Sequence, residues 1–170
     1  VYFSSQAVFG EDKPQDKLSE DVPASPTSLY GLAKSMGEQL FAMTVAPLST
    51  KLLVIRIPRV YGPGACVNDY GPNQFLQDAK MERAIKLWGD GKEKRPFLFV
   101  GDLTQAIVEL LRHDDIGGVL NLAPPCSSTF LEAAEEAKML TGSKAGLIHR
   151  ERTRAKVHHV TNITQWRRLF

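Results

Sequence analysis

A tyrosine and a lysine lie one helical turn apart in the first part of the chain, at Tyr30 and Lys34. Because residues four apart project from the same face of a helix, the two side chains should meet if this segment is helical. A lysine ammonium near a phenol stabilises the phenolate and lowers the pKa of the tyrosine from about 10 toward working pH. Such a phenol can exchange a proton with a hydroxyl or carbonyl oxygen of a substrate. The alternative is an exposed tyrosine and a solvated lysine on a surface helix.

A serine that could share this chemistry, Ser5, lies 25 residues before Tyr30, at the end of a β-rich run. The carboxyl ends of strands line the ligand crevice of an open α/β sheet. A hydroxyl at that place can hold the same substrate oxygen that the tyrosine protonates. Without the tyrosine and the lysine, an ordinary turn at a strand end would be the simpler interpretation of Ser4 and Ser5.

The elements that must position these residues follow from the hydrophobic pattern. Residues 1–5 are predicted to form a buried strand, and the prolines and charges of residues 10–27 predict a loop. A helix should begin at residues 27–28, because apolar residues then recur at helical spacing in one stripe. Residues 52–57 form a nearly continuous apolar run, typical of a central parallel strand covered on both faces. Strand, helix and strand in this order predict a right-handed βαβ unit. The stripe consists of Leu29, Leu32, Met36 and Leu40.

Shorter elements of both kinds are predicted behind this unit. They are a turn-rich loop over 61–72, a helix near 74–83, strands at 85–88 and 97–100 joined by a polar turn, a strand at 119–122 and two further helices. Both further helices carry a capping-box pattern, Asp102 with Gln105 and Thr129 with Glu132. The predicted fold class is therefore α/β, with a smaller mixed region behind the parallel sheet.

The composition excludes several classes of protein. Lys plus Arg number 21 against 19 Asp plus Glu, a net charge of +2 that is too balanced to suggest a nucleic-acid binder. The longest apolar runs are about six residues, far short of the roughly 20 that cross a bilayer. The two cysteines, Cys66 and Cys126, make no disulfide scaffold and fit a reducing compartment. We therefore expect a cytoplasmic protein with no nucleic-acid or membrane partner.

Both ends of the sequence indicate part of a longer protein. The chain opens on a strand-like run without a Met or a leader, and it stops inside a helix-like stretch at 165–170. We expect the isolated chain to expose apolar sheet surface, to have low solubility, to bind NAD weakly or not at all, and to be inactive.

Four segments taken together resemble the extended short-chain dehydrogenase/reductases, the NAD-dependent epimerase/dehydratase group. They are residues 1–10, 26–34, 56–64 and 95–102, which occur in the order and spacing of that family. The resemblance implies a chain that starts at the fifth strand of a doubly wound Rossmann sheet and lacks the glycine-rich pyrophosphate loop. In agreement, no G-x-G-x-x-G motif follows a strand in the sequence. The resemblance also implies that residues 1–60 belong to the dinucleotide-binding domain. Residues 61–170 would then form mainly a substrate-binding region, with some segments returning to the sheet.

The resemblance further implies roles for individual residues. Tyr30 matches the acid/base of the family, Lys34 its partner, and Ser5 the hydroxyl that orients the substrate oxygen. The positions expected to bind NAD or NADP are Tyr30 and Lys34 together with Phe3, Ser4, Ile57, Pro58 and Val60. The positions expected to bind a nucleotide-sugar substrate are Ser5, Gln6, Arg59, Asn73 and Arg95. Arginine suits a diphosphate because its planar fork engages phosphate oxygens bidentately. A solvated charge is the simpler alternative for Arg95.

The sequence departs from the family pattern at two places near the expected site. Family members often carry Asn where Arg59 stands, so Arg59 could read a substrate carboxylate or phosphate, or face solvent. The 4,6-dehydratases of the family carry Thr-Asp-Glu near Ser5. This chain has Ser5-Gln6-Ala7 instead, which counts against dehydration.

The remaining reactive side chains indicate less chemistry. His149, His158 and His159 have no carboxylate or cysteine at ligand spacing, so no metal site is predicted. The basic run over residues 150–156 could touch a diphosphate, although a solvated face is the simpler interpretation. Trp88 and Trp166 are predicted to lie in the core. Both cysteines are predicted to be inert thiols.

We therefore expect an NAD(P)-dependent epimerase or reductase that acts on a nucleotide sugar through Ser5, Tyr30 and Lys34. The family resemblance implies a homodimer formed through the Tyr30 helix. One alternative is a reductase or dehydrogenase of a non-sugar carbonyl that uses the same three residues. Another is a non-catalytic dinucleotide-binding module, which the presence of an acid/base pair argues against. The residues that would distinguish NAD from NADP are not in this sequence.

Overall fold

The computed structural model describes residues 1–11, 15–64, 70–153 and 155–169. The helices in these ranges are a 3-10 helix at Gln6–Phe9, α1 (Leu29–Val45), α2 (Pro72–Lys80), α3 (Val100–Leu110), α4 (Phe130–Thr141) and α5 (Thr164–Leu169). The strands are β1 (Tyr2–Ser5), β2 (Gln15–Leu18), β3 (Leu53–Ile57), β4 (Arg59–Tyr61), β5 (Ile85–Trp88), β6 (Lys94–Arg95), β7 (Phe97–Phe99), β8 (Gly118–Asn121), β9 (Ser128–Thr129), β10 (Leu147–Arg150) and β11 (His159–Thr161).

Three strands form the parallel sheet that carries the candidate site. β1 pairs with β3, and β3 pairs with β8, so β3 is the central strand. Leu53, Val54 and Ile55 of β3 are buried, as expected for a strand that is covered on both faces. α1 connects β1 to its parallel neighbour β3. The predicted α/β class with a parallel sheet is thus confirmed.

Helix α1 turns its smallest side chains toward the interior. It begins after Ser28, whose Oγ accepts a hydrogen bond from the N–H of Gly31 at 3.1 Å, which confirms the predicted start. Its buried residues are Gly31 and Ser35. The apolar stripe is exposed instead, from 45% at Leu32 to 86% at Leu29. Small residues on the inner side allow a close approach to β1, and this leaves the longer apolar side chains outside.

A buried polar cluster joins α1 to β1 and β3, beside a buried asparagine of β8. Ser4, Arg56 and Asn121 occupy one register row across β1, β3 and β8, and all three are buried. The Glu38 carboxylate accepts hydrogen bonds from Arg56 Nε at 3.0 Å and Nη2 at 2.8 Å, and another from the Ser4 hydroxyl. Because a buried charge is stable only when it is paired and hydrogen-bonded, this cluster holds α1 against the strand ends.

The segment over residues 10–27 contains a strand, which shows that the prediction of an irregular loop was wrong. β2 pairs in parallel with β11, which lies near the other end of the chain. Leu18 is 1% exposed and packs with Val8 and Phe9 in a small core of its own. The hydrogen bonds that make β2 a strand come from β11, so local composition could not indicate them.

A second core forms behind the sheet from α2, α4, β5 and β10. Its buried members are Phe75, Ala79, Ile85, Leu87, Phe130, Ala134 and Ala137. The two strands beside the predicted polar turn have separate partners, since β5 pairs with β10 and β7 pairs with β4. β8 follows part of this region and returns to the sheet beside β3. The domain division at residue 60 stays a prediction.

The two predicted capping boxes have different outcomes. At α4 both bonds are present, because Thr129 Oγ1 accepts from the Glu132 N–H and the Glu132 carboxylate accepts from the Thr129 N–H. α3 begins at Val100, directly after β7, and has no side-chain cap. Asp102 therefore lies in the first turn of α3 rather than before it. Within the described ranges, no helix combines the length and apolar character that crossing a membrane requires.

Candidate active site

A cleft of about 810 Å³ opens at the ends of β1 and β3, beside the second core. Parallel strands end at the same edge of their sheet, which is where ligand crevices of open α/β sheets form. The residues predicted for the site that line this cleft are Ser5, Gln6, Tyr30, Ile57, Pro58, Arg59, Val60 and Arg95. Residues from distant parts of the sequence therefore meet at one place.

Ser5 is held by the turn that follows β1. Its Oγ accepts a hydrogen bond from the N–H of Ala7 at 3.2 Å and caps the 3-10 helix. A hydroxyl that accepts one hydrogen bond still has its own proton to donate. Because Ser5 is half-buried and lines the cleft, that proton is available to a ligand oxygen.

Tyr30 and Lys34 meet near the start of α1, as their spacing predicts. The Lys34 ammonium lies 5.8 Å from the centroid of the Tyr30 ring. It also donates a hydrogen bond to the carbonyl oxygen of Phe3 at 2.8 Å. The Tyr30 side chain is 58% exposed and lines the cleft. The phenol is thus accessible to a ligand, and strand β1 holds a positive charge beside it.

Gly31 allows the first turn of α1 to touch the chain after β1. A β-carbon at residue 31 would lie 2.3 Å from the carbonyl oxygen of Ala7 and 3.2 Å from the Pro26 β-carbon. The first distance is too short for any side chain, so the approach requires glycine. This close contact brings Tyr30 to the same cleft as Ser5.

Three other predicted residues use their polar atoms within the protein. The Ser4 hydroxyl is buried and bonds to Glu38, and the Phe3 carbonyl accepts from Lys34. The side-chain amide of Asn73 bonds to the backbone of Gly62 in both directions. Asn73 Nδ2 donates to the Gly62 carbonyl oxygen at 3.1 Å, and Asn73 Oδ1 accepts from the Gly62 N–H at 2.9 Å. These contacts hold the segments around the cleft. Direct contact of these residues with a ligand stays a prediction.

Three arginines among the described residues line the cleft: Arg59, Arg95 and Arg152. Arg95 and Arg152 share one carboxylate, because Arg95 bonds to Glu93 Oε1 and Arg152 Nη2 lies 2.6 Å from Glu93 Oε2. Burial lowers the pKa of the Arg95 guanidinium, and Glu93 opposes that effect. Arg59 Nη1 donates to the carbonyl oxygen of Tyr70 at 3.0 Å. Since these three arginines outnumber the two acids of the described lining, Glu11 and Glu93, the lining favours an anionic ligand.

Glu93 is a site residue that the sequence did not indicate, and Arg152 was indicated only as one member of the basic run over residues 150–156. The side chain of Arg152 is only 20% exposed, which corrects the interpretation of residues 150–156 as a solvated face. Lys156 of the same run does lie at the surface, where it pairs with Asp90 at 2.7 Å. Arg154 lies outside the described residues. The excess of basic residues was the one available signal, and it could not show which member turns inward.

Trp88 also lines the cleft, which corrects its predicted place in the core. Its side chain is 37% exposed, and the Arg150 guanidinium carbon lies 5.7 Å from its ring centroid. The Tyr70 hydroxyl accepts a hydrogen bond from the Trp88 N–H at 3.1 Å, and burial raises the pKa of Tyr70. These rings provide an aromatic wall close to the arginines. Trp166 packs against the core of the sheet, as predicted.

Among the described residues, no group of three or more His, Cys, Asp or Glu is placed to hold a metal ion. His149 Nδ1 lies 2.7 Å from the carbonyl oxygen of Gly89, and His158 Nδ1 accepts from the Lys94 N–H at 3.2 Å. Cys126 is exposed as a free thiol. The other cysteine, Cys66, lies outside the described residues.

Known proteins share both the sequence pattern and the fold. The model of the NAD dependent epimerase/dehydratase family matches residues 1–123. The chain is 27% identical over 148 residues to the uncharacterized UDP-glucose epimerase YtcB of Bacillus subtilis, covering 86% of this chain and 46% of that protein. It is 28% identical over 137 residues to UDP-glucuronic acid decarboxylase 1 of Arabidopsis thaliana, covering 80% of this chain and 31% of that protein.

A solved structure extends this likeness to the fold. UDP-N-acetylglucosamine 4-epimerase from Methanobrevibacter ruminantium, in complex with UDP-N-acetylmuramic acid, superposes with a TM-score of 0.89 at 22% identity. The match covers 98% of this chain and 54% of the other, and it shows a shared Rossmann-like architecture. The chain therefore spans about half, or less, of the length of these relatives.

Proposed function

We propose, from the premise that this chain belongs to the NAD dependent epimerase/dehydratase family, that the whole protein is an NAD(P)-dependent epimerase of a nucleotide sugar. One observation carries the proposal: Ser5 and Tyr30 line one cleft, and the Lys34 ammonium lies 5.8 Å from the Tyr30 ring. The names of the relatives, which include UDP-sugar epimerases and decarboxylases, support a nucleotide-linked sugar as the substrate class.

Each of the three residues has one task in this proposal. Tyr30 takes the proton from a sugar hydroxyl and later returns it, because its phenol is exposed to the cleft. Lys34 stabilises the phenolate form of Tyr30, which is the base that accepts this proton and which is formed again when the proton is returned. Ser5 donates a hydrogen bond to the same sugar oxygen, since its own oxygen is already held by the Ala7 N–H. When bound, NAD(P) supplies reversible hydride transfer at the sugar carbon.

The residues proposed to hold NAD(P) surround the same strand ends. Lys34 and Tyr30 would bind the nicotinamide ribose, and residues 57, 58 and 60 would lie beside the nicotinamide along the cleft wall. Ser4 would contribute through its backbone, because its hydroxyl is already bonded to Glu38. Phe3 would contribute by holding Lys34 through its carbonyl oxygen. The dinucleotide domain would comprise residues 1–60 with β8 beside them in the sheet.

The other side of the cleft is proposed to bind the nucleotide diphosphate. Arg95 and Arg152 present guanidinium groups whose spacing is set by Glu93, and Arg59 adds a third. The rings of Tyr70 and Trp88 offer a flat surface for the base. Gln6 lines the cleft while its amide Nε2 donates to Thr161 Oγ1 at 2.7 Å. Asn73 would support this region by holding Gly62.

The test is a product assay on the whole protein with NAD and a panel of UDP-sugars. An epimerase converts one sugar to its epimer without net accumulation of reduced cofactor. Stoichiometric consumption of NAD(P)H with a non-sugar carbonyl would assign a reductase instead. Cofactor binding without turnover of any substrate would assign a non-catalytic module. In either turnover assay Tyr30→Phe should abolish turnover, and it should keep most of the cofactor affinity because Lys34 still binds the ribose. Retained turnover would refute the role of Tyr30.

A second reaction, decarboxylation of a nucleotide-linked uronic acid, is favoured by one feature of the cleft. Arg59 lines it at a position where the family often carries Asn, and a guanidinium there could hold a sugar carboxylate. The decarboxylases among the relatives point the same way. Release of CO₂ from UDP-glucuronic acid would assign this reaction. An intact carboxylate in the epimerised product would exclude it.

The exposed stripe of α1 is proposed to be the contact between two copies of the chain. Leu29, Leu32, Met36 and Leu40 are 45–86% exposed along one helix. Phe41 and Met43 of the same helix are 43% and 76% exposed. Light scattering of the whole protein should give a dimer, and charged residues at Met36 and Leu40 should give a monomer. A wild-type monomer at micromolar concentration would contradict the proposal.

A cytoplasmic location is also proposed, and cell fractionation tests it.

A further inference from the structure

A second tyrosine contacts the same lysine as Tyr30. The Lys34 ammonium lies 5.5 Å from the centroid of the Tyr2 ring, against 5.8 Å for the Tyr30 ring. The Tyr2 hydroxyl also donates a hydrogen bond to the backbone oxygen of Lys34 at 3.3 Å. A cation within about 6 Å of a ring centroid is attracted by the electron-rich face of the ring. Tyr2 therefore contacts both the side chain and the backbone of Lys34.

The fold is shaped to receive Tyr2 at this place. A β-carbon at residue 37 would lie 2.1 Å from the Tyr2 hydroxyl oxygen, so Gly37 leaves the room that the phenol occupies. The ring packs on Phe41, with 4.9 Å between the ring centroids. Tyr2 is half-buried and lies on β1, one residue before the carbonyl that accepts the hydrogen bond of Lys34. β1 thus holds Lys34 through two successive residues.

We infer that Tyr2 is a positioning residue whose ring face holds the Lys34 ammonium beside the Tyr30 phenol. This inference rests on the proposed function, because it concerns the proton chemistry of Tyr30. Tyr2 is not one of the described residues that line the cleft. It therefore acts through Lys34.

The charges around Tyr2 suit this role. Burial raises the pKa of Tyr2, and the Glu38 carboxylate and Tyr30 raise it further. Glu38 is in turn bonded to Arg56 from β3. Tyr2 thus remains a neutral phenol, and its ring attracts the ammonium without competing with Tyr30 as a second anion.

The experiment measures how Tyr30 ionises in the whole protein, without substrate. Tyrosinate absorbance is titrated in the protein and in its Tyr30→Phe variant, and the difference isolates the Tyr30 signal. The pair is then repeated with Tyr2→Leu and with Tyr2→Phe. Tyr2→Leu removes the ring and should raise the midpoint by about half a pH unit. Tyr2→Phe keeps the ring and should leave the midpoint in place. Tyr61→Leu removes a tyrosine ring that packs on Phe99, with 5.6 Å between the ring centroids, and is the control that should also leave the midpoint in place.

Two outcomes would overturn the inference. One is an unchanged midpoint in Tyr2→Leu, and the other is an equal rise in Tyr2→Phe, which would assign the effect to the hydroxyl. If Tyr2→Leu does not fold, pentafluorophenylalanine at position 2 keeps the shape and reverses the charge of the ring face. The same rise is expected there, and no change would overturn the inference. Because the titration uses no substrate, a failed turnover assay would count against the proposed function alone.

Discussion

Gly31 and the carbonyl of Ala7 lie so close that a β-carbon on residue 31 would be 2.3 Å from the carbonyl oxygen. The contact joins the residue after Tyr30 to the second residue after Ser5. It is formed by backbone on both sides, so neither partner can rotate away. The relative position of the two proposed site residues therefore depends on the absence of one side chain.

Replacing Gly31 by alanine should displace the first turn of α1 from β1. The overlap with a backbone oxygen should cost about 1–3 kcal/mol of unfolding free energy, as overpacking does in protein cores. Turnover should fall further than stability alone explains, because Tyr30 moves with the helix. Urea denaturation and a turnover assay of the whole protein measure the two effects. Gly146→Ala is the control, since a β-carbon there meets nothing within 4 Å. Equal behaviour of the two variants would contradict the proposed contact.

Ser5→Ala should lower kcat by about one to two orders of magnitude, because it removes a donor to a substrate oxygen that becomes charged. It also removes the bond that caps the 3-10 helix, so a stability loss of about 1 kcal/mol should accompany it. Ser5→Thr keeps the hydroxyl and should retain most of the kcat and most of the stability. Steady-state kinetics and thermal unfolding separate the two effects. An alanine variant with the wild-type kcat would refute the assigned role.

Arg95→Met should raise KM for a UDP-sugar by about tenfold to a hundredfold, since charged hydrogen bonds to phosphate are lost. Because Tyr30, Lys34 and Ser5 stay in place, kcat should change much less. The control is Arg112→Met, which removes an arginine whose side chain is 68% exposed and paired with Glu109. If KM stays constant in Arg95→Met, Arg95 does not hold the diphosphate.

Removing the charge of Glu38 should be among the more destabilising single changes in the sheet region. Glu38→Gln leaves the Arg56 guanidinium buried with a neutral partner, and breaking a buried pair costs about 3–5 kcal/mol. The double variant Glu38→Leu with Arg56→Met replaces the pair by apolar side chains. It should recover much of the loss, because no unpaired charge remains. Chemical denaturation checks both variants. A double variant that is no more stable than Glu38→Gln would contradict this explanation.

The surface pair of Asp90 and Lys156 should stabilise the fold only above acid pH. The hydrogen bond from Lys156, and then that from the Lys92 N–H, lower the pKa of Asp90 from 3.8 to about 2. Since the folded pKa lies below the unfolded one, the stabilisation is present above pH 3.8 and is lost as pH falls toward 2. Asp90→Asn should therefore be less stable than wild type at neutral pH, and the difference should disappear toward pH 2. Thermal unfolding of both proteins between pH 7 and pH 2 measures the difference, and a difference that persists at pH 2 would contradict this explanation.

Much of the framework could be predicted because it depends on neighbours along the chain. The Ser28 cap and the spacing of Tyr30 and Lys34 are local, and they placed α1 and its proposed acid/base pair correctly. The apolar run of β3 indicated a central parallel strand for the same reason, since burial on both faces leaves a continuous signal. The α4 capping box is complete within four residues.

Pairings between distant segments were decided by the tertiary structure alone. β2 is a strand only because β11 supplies its hydrogen bonds. Arg152 turns inward because its guanidinium pairs with the Glu93 carboxylate at the cleft. Trp88 lies at the cleft wall rather than in the core, because its strand ends at the cleft. The sequence by itself thus determined the local elements and the proximity of Tyr30 and Lys34 on α1. The cleft, its arginines and the contact of Tyr2 with Lys34 needed the folded chain, because their energies arise between residues that only folding brings together.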